Sequence, residues 1–156
     1  KVHNCFVQDN PYSSPFDGIR LLLSLDTLLF RLSYHKLGKY KVAMKGLPQL
    51  VNQKWDLNTV SLEELETING IGPKTSRFFV LHSRPAQKLI VFDTHVSKYL
   101  YNKGVVPFDT TPDKRVYAKY EPIAINYLEN EEGITDFADF DLSKWKLGTK
   151  TRPIGA

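Results

Sequence analysis

Two residues of this sequence, Lys74 and Asp93, are of types and in settings that can do chemistry. Lys74 stands just behind a glycine turn, in Gly70-Ile71-Gly72-Pro73-Lys74-Thr75. Glycines admit positive backbone dihedrals and let another molecule approach the main chain closely. A helix opening right after them offers unpaired amides and the positive end of its dipole. The combination makes an anion site. A lysine placed there can neutralise a phosphate or, once it has lost its proton, attack an electrophilic carbon. Asp93, in "VFDTHV", falls where another helix should begin. It can cap that helix.

Spacing narrows what the turn can hold. A nucleotide-binding P-loop requires four residues between its first glycine and Gly-Lys-Ser/Thr, and a dinucleotide fold requires G-x-G-x-x-G after a strand. Here the glycines follow a helical pattern and the lysine comes two residues after Gly72, so neither motif applies. Two readings remain: a helix-hairpin-helix whose amides at Gly70, Ile71 and Gly72 grip a nucleic-acid phosphate without reading bases, or an ordinary tight turn between two helices.

The elements that must position these residues read as helices, and the predicted fold class is all-α. Ser14, Pro15 and Asp17 predict an N-cap, first helical residue and capping-box acid for a helix running through Leu32, with leucines all round and therefore buried on every side. Residues 39–54 form a second helical region that Gly46 and Pro48 should bend or divide. Ser61 with Glu64 is a capping box for a short stripe of Leu62, Leu65 and Ile68 that stops at Asn69-Gly70, and a helix restarts at Pro73. "KLIVF", residues 88–92, has strand-like composition without an obvious partner and reads as a buried extended connector. Asp93 then opens a helix ended by Gly104, Thr111-Pro112 starts one interrupted at Pro122, and Thr135 starts a last one stopped by Gly148.

Composition sets the outer limits. The 156 residues predict a single domain, residues 1–156, and 42% hydrophobic with 24% charged residues is ordinary for a chain that folds. A net charge of +4 and a pI near 9.1 suit a polyanionic partner. Acids gather between Glu129 and Asp141, whereas Lys144, Lys146, Lys150 and Arg152 close the chain, either as a solvated end or as a phosphate-contacting arm. Cys5 is the only cysteine, so the chain can build neither a disulfide framework nor a cysteine-ligated metal or iron-sulfur site. Absence of an apolar stretch long enough for a bilayer, and of a secretory signal, predicts an intracellular protein.

The pairing of the two motifs resembles the helix-hairpin-helix DNA glycosylases of base-excision repair, the superfamily containing endonuclease III and the 8-oxoguanine glycosylases. In that family the hairpin reads roughly L-P-G-V-G-x-K-T, and an apolar connector leads into V-D-T-H-V. This chain has Ile68-Asn69-Gly70-Ile71-Gly72-Pro73-Lys74-Thr75 and Ile90-Val91-Phe92-Asp93-Thr94-His95-Val96, with Asn69 in place of proline and Phe92 in place of valine. "SPFDGIRLLLSL" looks like the family's opening, and "LSYHKLGKYKVAMKGLPQLV" like its following helix, so the likeness covers residues 14–104 and leaves 105–156 as C-terminal helices and a basic tail. The stretch between opening and hairpin is shorter than usual, and the four-cysteine cluster of endonuclease III is absent.

The resemblance implies a DNA glycosylase with AP-lyase activity, acting as a monomer on a damaged base or abasic site in double-stranded DNA. Lys74 would be the nucleophile at C1′ of the deoxyribose, and Asp93 the carboxylate that stabilises the charged sugar or helps activate the attacking group. A lysine amine, with an ordinary pKa of about 10.4, needs a site that disfavours its charge, and the helix N-terminus, partial burial and the nearby Arg77 would supply one. Gly70, Ile71, Gly72, Thr75 and Arg77 would form the DNA-binding set, with no cofactor and no iron-sulfur cluster, though hairpin carbonyls could hold a monovalent cation. His95 would be a structural part of its helix start rather than a base. Two alternatives stay open: a non-catalytic DNA-binding module in which Lys74 only neutralises phosphate, and a glycosylase-like enzyme acting on modified bases of a viral genome.

Overall fold

The computed structural model of the protein describes residues 14–150, with side chains as far as Leu147. The basic tail beyond Lys146 therefore lies outside the described side chains. The regular elements among the described residues are all helical: α1 Pro15–Ser24, α2 Leu28–Tyr34, α3 Tyr40–Asn52, α4 Leu62–Leu65, α5 Pro73–Ser83, α6 Thr94–Asn102, α7 Lys114–Asn130 and α8 Phe137–Lys150. The class is all-α. None of these helices is long and apolar enough to cross a membrane. The described residues fall into two compact units, one ending at Ile71 and the other beginning at Gly72.

In the first unit the opening helix is shorter than the apolar pattern predicts. Ser14 caps it, its Oγ accepting from the Phe16 amide at 3.2 Å, and Asp17 pairs with Arg20 at 2.9 Å. The helix stops at Ser24, Asp26 takes a positive φ of 53°, and α2 begins at Leu28. The break re-phases the leucines. Ile19, Leu28, Leu32 and Val51 form the core, while Leu25, Leu29 and Phe30 are 60%, 49% and 72% exposed, which corrects the expectation of a helix buried all round.

α3 runs unbroken through Gly46 and Pro48. The proline removes one backbone bond from thirteen residues of helix that pack on α1 and α2, and that packing outweighs it. Gly46 is there for space: a Cβ on it would lie 2.2 Å from the Asn69 carbonyl oxygen. Gly70, at φ 91°, answers it from the other side, since its Cβ would lie 2.3 Å from Val42 Cγ1. The Asn69 amide donates to Gln49 Oε1 at 2.7 Å, so α3 holds the first half of the glycine turn from below. Ser61 and Glu64 form the predicted reciprocal capping box at α4.

The second unit packs α5 to α8 around a core that includes Phe92, Leu100, Tyr117, Leu128 and Phe137. "KLIVF" forms no regular element and is buried at Ile90, Val91 and Phe92, and it finds its hydrogen bonds in side chains of α7 rather than in another strand. Tyr117 Oη donates to the Ile90 carbonyl and accepts from the Phe92 amide, while Glu121 Oε1 accepts from the Ile90 amide. Asp113, not Thr111, caps α7, which continues through Pro122 without a break, and α8 starts at Phe137 and runs past Gly148.

Glu132 ties the C-terminal helices together. It accepts from Tyr99 Oη at 2.6 Å and faces Lys103 Nζ at 3.6 Å, and Lys144 Nζ lies 3.6 Å from the centre of the Tyr99 ring. Burial works against its charge, but bonds from Tyr99 and Tyr127 and the cations Lys103 and Lys144 outweigh burial and hold the carboxyl below its ordinary value of 4.5. A depressed carboxyl stabilises the fold above its unfolded pKa and ceases to do so as pH falls through the folded one. Melting curves of the wild type and Glu132→Gln should therefore differ at about pH 6 and converge towards about pH 3. An undiminished difference at the acid end would show that Glu132 acts by packing alone.

Candidate active site

The second unit gathers the chemical residues. α5 opens at Pro73, with Gly72 as an extended N-cap that offers no side chain. The Thr75 and Ser76 amides bond back to the Gly72 carbonyl at 2.9 and 3.0 Å, closing the first turn. Among the described residues nothing accepts from the amides of Gly72 and Lys74. The Ile71 amide is used within the turn, on the Ile68 carbonyl at 3.0 Å. The amides open to an anion are thus those of Gly72 and Lys74, and the Lys74 and Thr75 side chains beside them are exposed. Partial burial of Lys74, one of the influences expected to disfavour its charge, is not what this helix start provides.

Asp93 is the N-cap of α6, its Oδ1 accepting from the amides of His95 and Val96, both at 2.8 Å. Its position is set by the connector before it, which Tyr117 and Glu121 hold by the backbone. Glu121 also binds α5. Arg77 Nη2 stands 2.9 Å from Glu121 Oε2, its Nε lies 3.0 and 3.1 Å from the two carboxylate oxygens, and its guanidinium packs 4.8 Å above the Tyr117 ring. The Arg77 side chain is only 13% exposed and turned toward Glu121. Breaking this pair would leave one charge alone in the interior, a cost far larger than that of breaking a surface pair. Arg77 joins the helix that carries Lys74 to the connector that ends in Asp93.

The pattern along the chain did not single out Asp141. It is 6% exposed on α8, and its Oδ2 lies 2.9 Å from His82 Nε2. Burial chiefly pushes its carboxyl above the ordinary range and the charge of Asp93 adds to this, while the His82 bond and the charges of His82 and Lys74 oppose it. Asp141 is thus a buried acid bonded to His82, in the unit that also carries Lys74 and Asp93. A carboxyl raised in this way can take up or hold a proton.

His82 leads back to Lys74 by another route. Lys74, Phe78 and His82 recur every fourth residue along one face of α5. Phe78 is 50% exposed, with its ring centre 4.6 Å from that of His82. This spacing was legible from "KTSRFFVLH", whereas Asp141 was hidden in an acidic stretch that reads as solvated surface. No protein-family model matches the chain, and no curated protein or solved structure matches it either.

Proposed function

We propose that the protein is a DNA glycosylase with AP-lyase activity, with residues 62–83 working as a helix-hairpin-helix. The observation that carries this reading is the exposed Lys74 amine at a helix start, beside the Gly72 and Lys74 amides from which nothing accepts among the described residues, in the unit that also holds Asp93 as the N-cap of α6. The amides of Gly72 and Lys74 would hold a DNA phosphate next to the amine. Lys74 Nζ, once deprotonated, attacks C1′ of the deoxyribose. The C1′–N bond breaks and the base leaves with the bonding electrons. The attached nitrogen loses a proton, and its lone pair then opens the sugar ring as the C1′–O4′ bond breaks and O4′ takes up a proton, leaving a protonated imine. Loss of the C2′ proton then expels the 3′ phosphate and nicks the strand. Asp93 would stabilise the positive sugar, and Asp141, whose carboxyl burial raises, would be the candidate to take up a proton.

Borohydride trapping on duplex DNA with an abasic site, comparing the wild type with Lys74→Gln, tests the proposal. A covalent adduct that is lost in the variant would support it. A folded, DNA-binding wild type that forms no adduct would sink it. The second reading, a non-catalytic module in which Lys74 meets only phosphate, is favoured by the exposure of that side chain. It predicts salt-dependent duplex binding without an adduct.

The two hairpin glycines separate folding from binding. Around Gly72 a Cβ would meet nothing within 4 Å, and its φ of −102° suits any residue. Gly72→Ala should leave the melting temperature unchanged and weaken duplex binding, because the methyl group would occupy the space an approaching phosphate needs. Gly70→Ala puts a Cβ at positive φ against Val42 and should cost on the order of 2 kcal/mol of stability. Equal DNA affinity of Gly72→Ala and the wild type would remove the phosphate from this turn.

A further inference from the structure

The first unit carries a surface that the proposed chemistry leaves unused. α2 turns Leu28 and Leu32 inward and presents Leu29, Phe30 and Tyr34 to solvent, at 49%, 72% and 69% exposure. The Phe30 and Tyr34 rings lie one helical turn apart, their centres 6.3 Å from each other and their planes 27° apart. On the same unit Leu29, Tyr40, Lys41, Val42 and Lys45 line a depression of about 440 Å³ that reaches Asn69, the residue before Gly70. From Thr27 to Trp55 the chain holds Arg31, Lys36, Lys39, Lys41, Lys45 and Lys54 and no acid. Packing explains none of this, since single exposed apolar residues are common but a cluster edged by one sign of charge marks a partner.

We propose that this α2–α3 surface binds an unpaired stretch of DNA strand, with Phe30 and Tyr34 stacking on bases and Lys41 and Lys45 meeting the phosphates. The charge selects a polyanion, and the flat exposed rings select one with free π faces. A duplex hides those faces in its own stack. The depression ends at Asn69, so an occupant of this surface lies beside the first glycine of the hairpin in the proposed function, on which this inference rests.

The test is binding of a labelled oligothymidylate of about 12 nucleotides, followed by anisotropy across a salt series. Phe30→Leu with Tyr34→Leu keeps apolar bulk and removes stacking. It should weaken binding about thirtyfold or more with the salt slope unchanged. Lys41→Gln with Lys45→Gln should reduce the slope by about 1.4. All four positions are exposed, and unchanged melting temperatures verify the fold. Wild-type affinity in the leucine variant overturns the proposal, as does self-association of the protein that the same variant abolishes, which would make the patch an interface between copies. Borohydride trapping reads the other claim separately: an adduct with no effect of the leucines leaves the glycosylase reading standing, and stacking-dependent binding without an adduct leaves only this inference.

Discussion

Lys74→Gln is expected to leave no borohydride-trapped adduct on abasic DNA, while Asp93→Asn slows adduct formation by roughly a hundredfold to a thousandfold. The two substitutions fail for different reasons. Glutamine in place of Lys74 has no amine to form the imine, so the loss is absolute and independent of time. Asparagine in place of Asp93 keeps an oxygen where Oδ1 now accepts from His95 and Val96, so the cap of α6 survives. Aspartate and asparagine are near-equal caps, and the melting temperature should hardly move. What disappears is the negative charge beside the sugar, felt only as positive charge develops in the transition state. A rate loss without a stability loss would make Asp93 a catalytic residue. If both changed together, or neither did, Asp93 would be a cap and nothing more. Asp141 sharpens the comparison. With the charge of Asp93 removed, one of the influences raising the Asp141 carboxyl is gone, so the acid limb of the trapping rate should move to lower pH in Asp93→Asn.

Much of this arrangement was legible because it is local. The Ser61–Glu64 capping box, proline at a first helical position and Asp93 as a cap are set by residues within one turn of each other, whereas Asp17, expected to complete a box with Ser14, pairs with Arg20 instead. What was missed depends on partners distant in the chain. Leucines on both faces of residues 16–32 gave no reason to expect a break at Asp26, since only α3 decides which of them are covered. Pro48 and Pro122 read as breaks because a missing amide is visible in a sequence and the packing that compensates for it is not. Arg77, three residues after Lys74, looked like a phosphate ligand. Its buried partner Glu121 lies in another helix, and charge complementarity across that distance leaves no periodic trace. Asp141 was missed for the same reason.

Arg77→Ala is expected to destabilise the second unit by about 3–5 kcal/mol, among the largest effects of any single substitution at a residue not placed in the chemistry. The Glu121 side chain, 11% exposed, would be left as a buried carboxylate without its guanidinium. Arg77→Met with Glu121→Leu removes both charges and should recover most of that loss, as apolar replacement of a buried pair commonly does. The recovery cannot be complete, because Glu121 Oε1 also accepts from the Ile90 amide, and an amide left unpaired in the core costs about 1–3 kcal/mol. Arg77→Met with Glu121→Gln keeps that acceptor and should be the more stable of the two double variants. The pair then bears on catalysis through position. Ile90 is three residues before Asp93, so freeing its amide loosens the connector that sets the carboxylate. The leucine double variant should trap more slowly than the glutamine one at a temperature where both are fully folded. Equal trapping rates would mean that Tyr117 alone, bonded to Ile90 and Phe92, fixes Asp93.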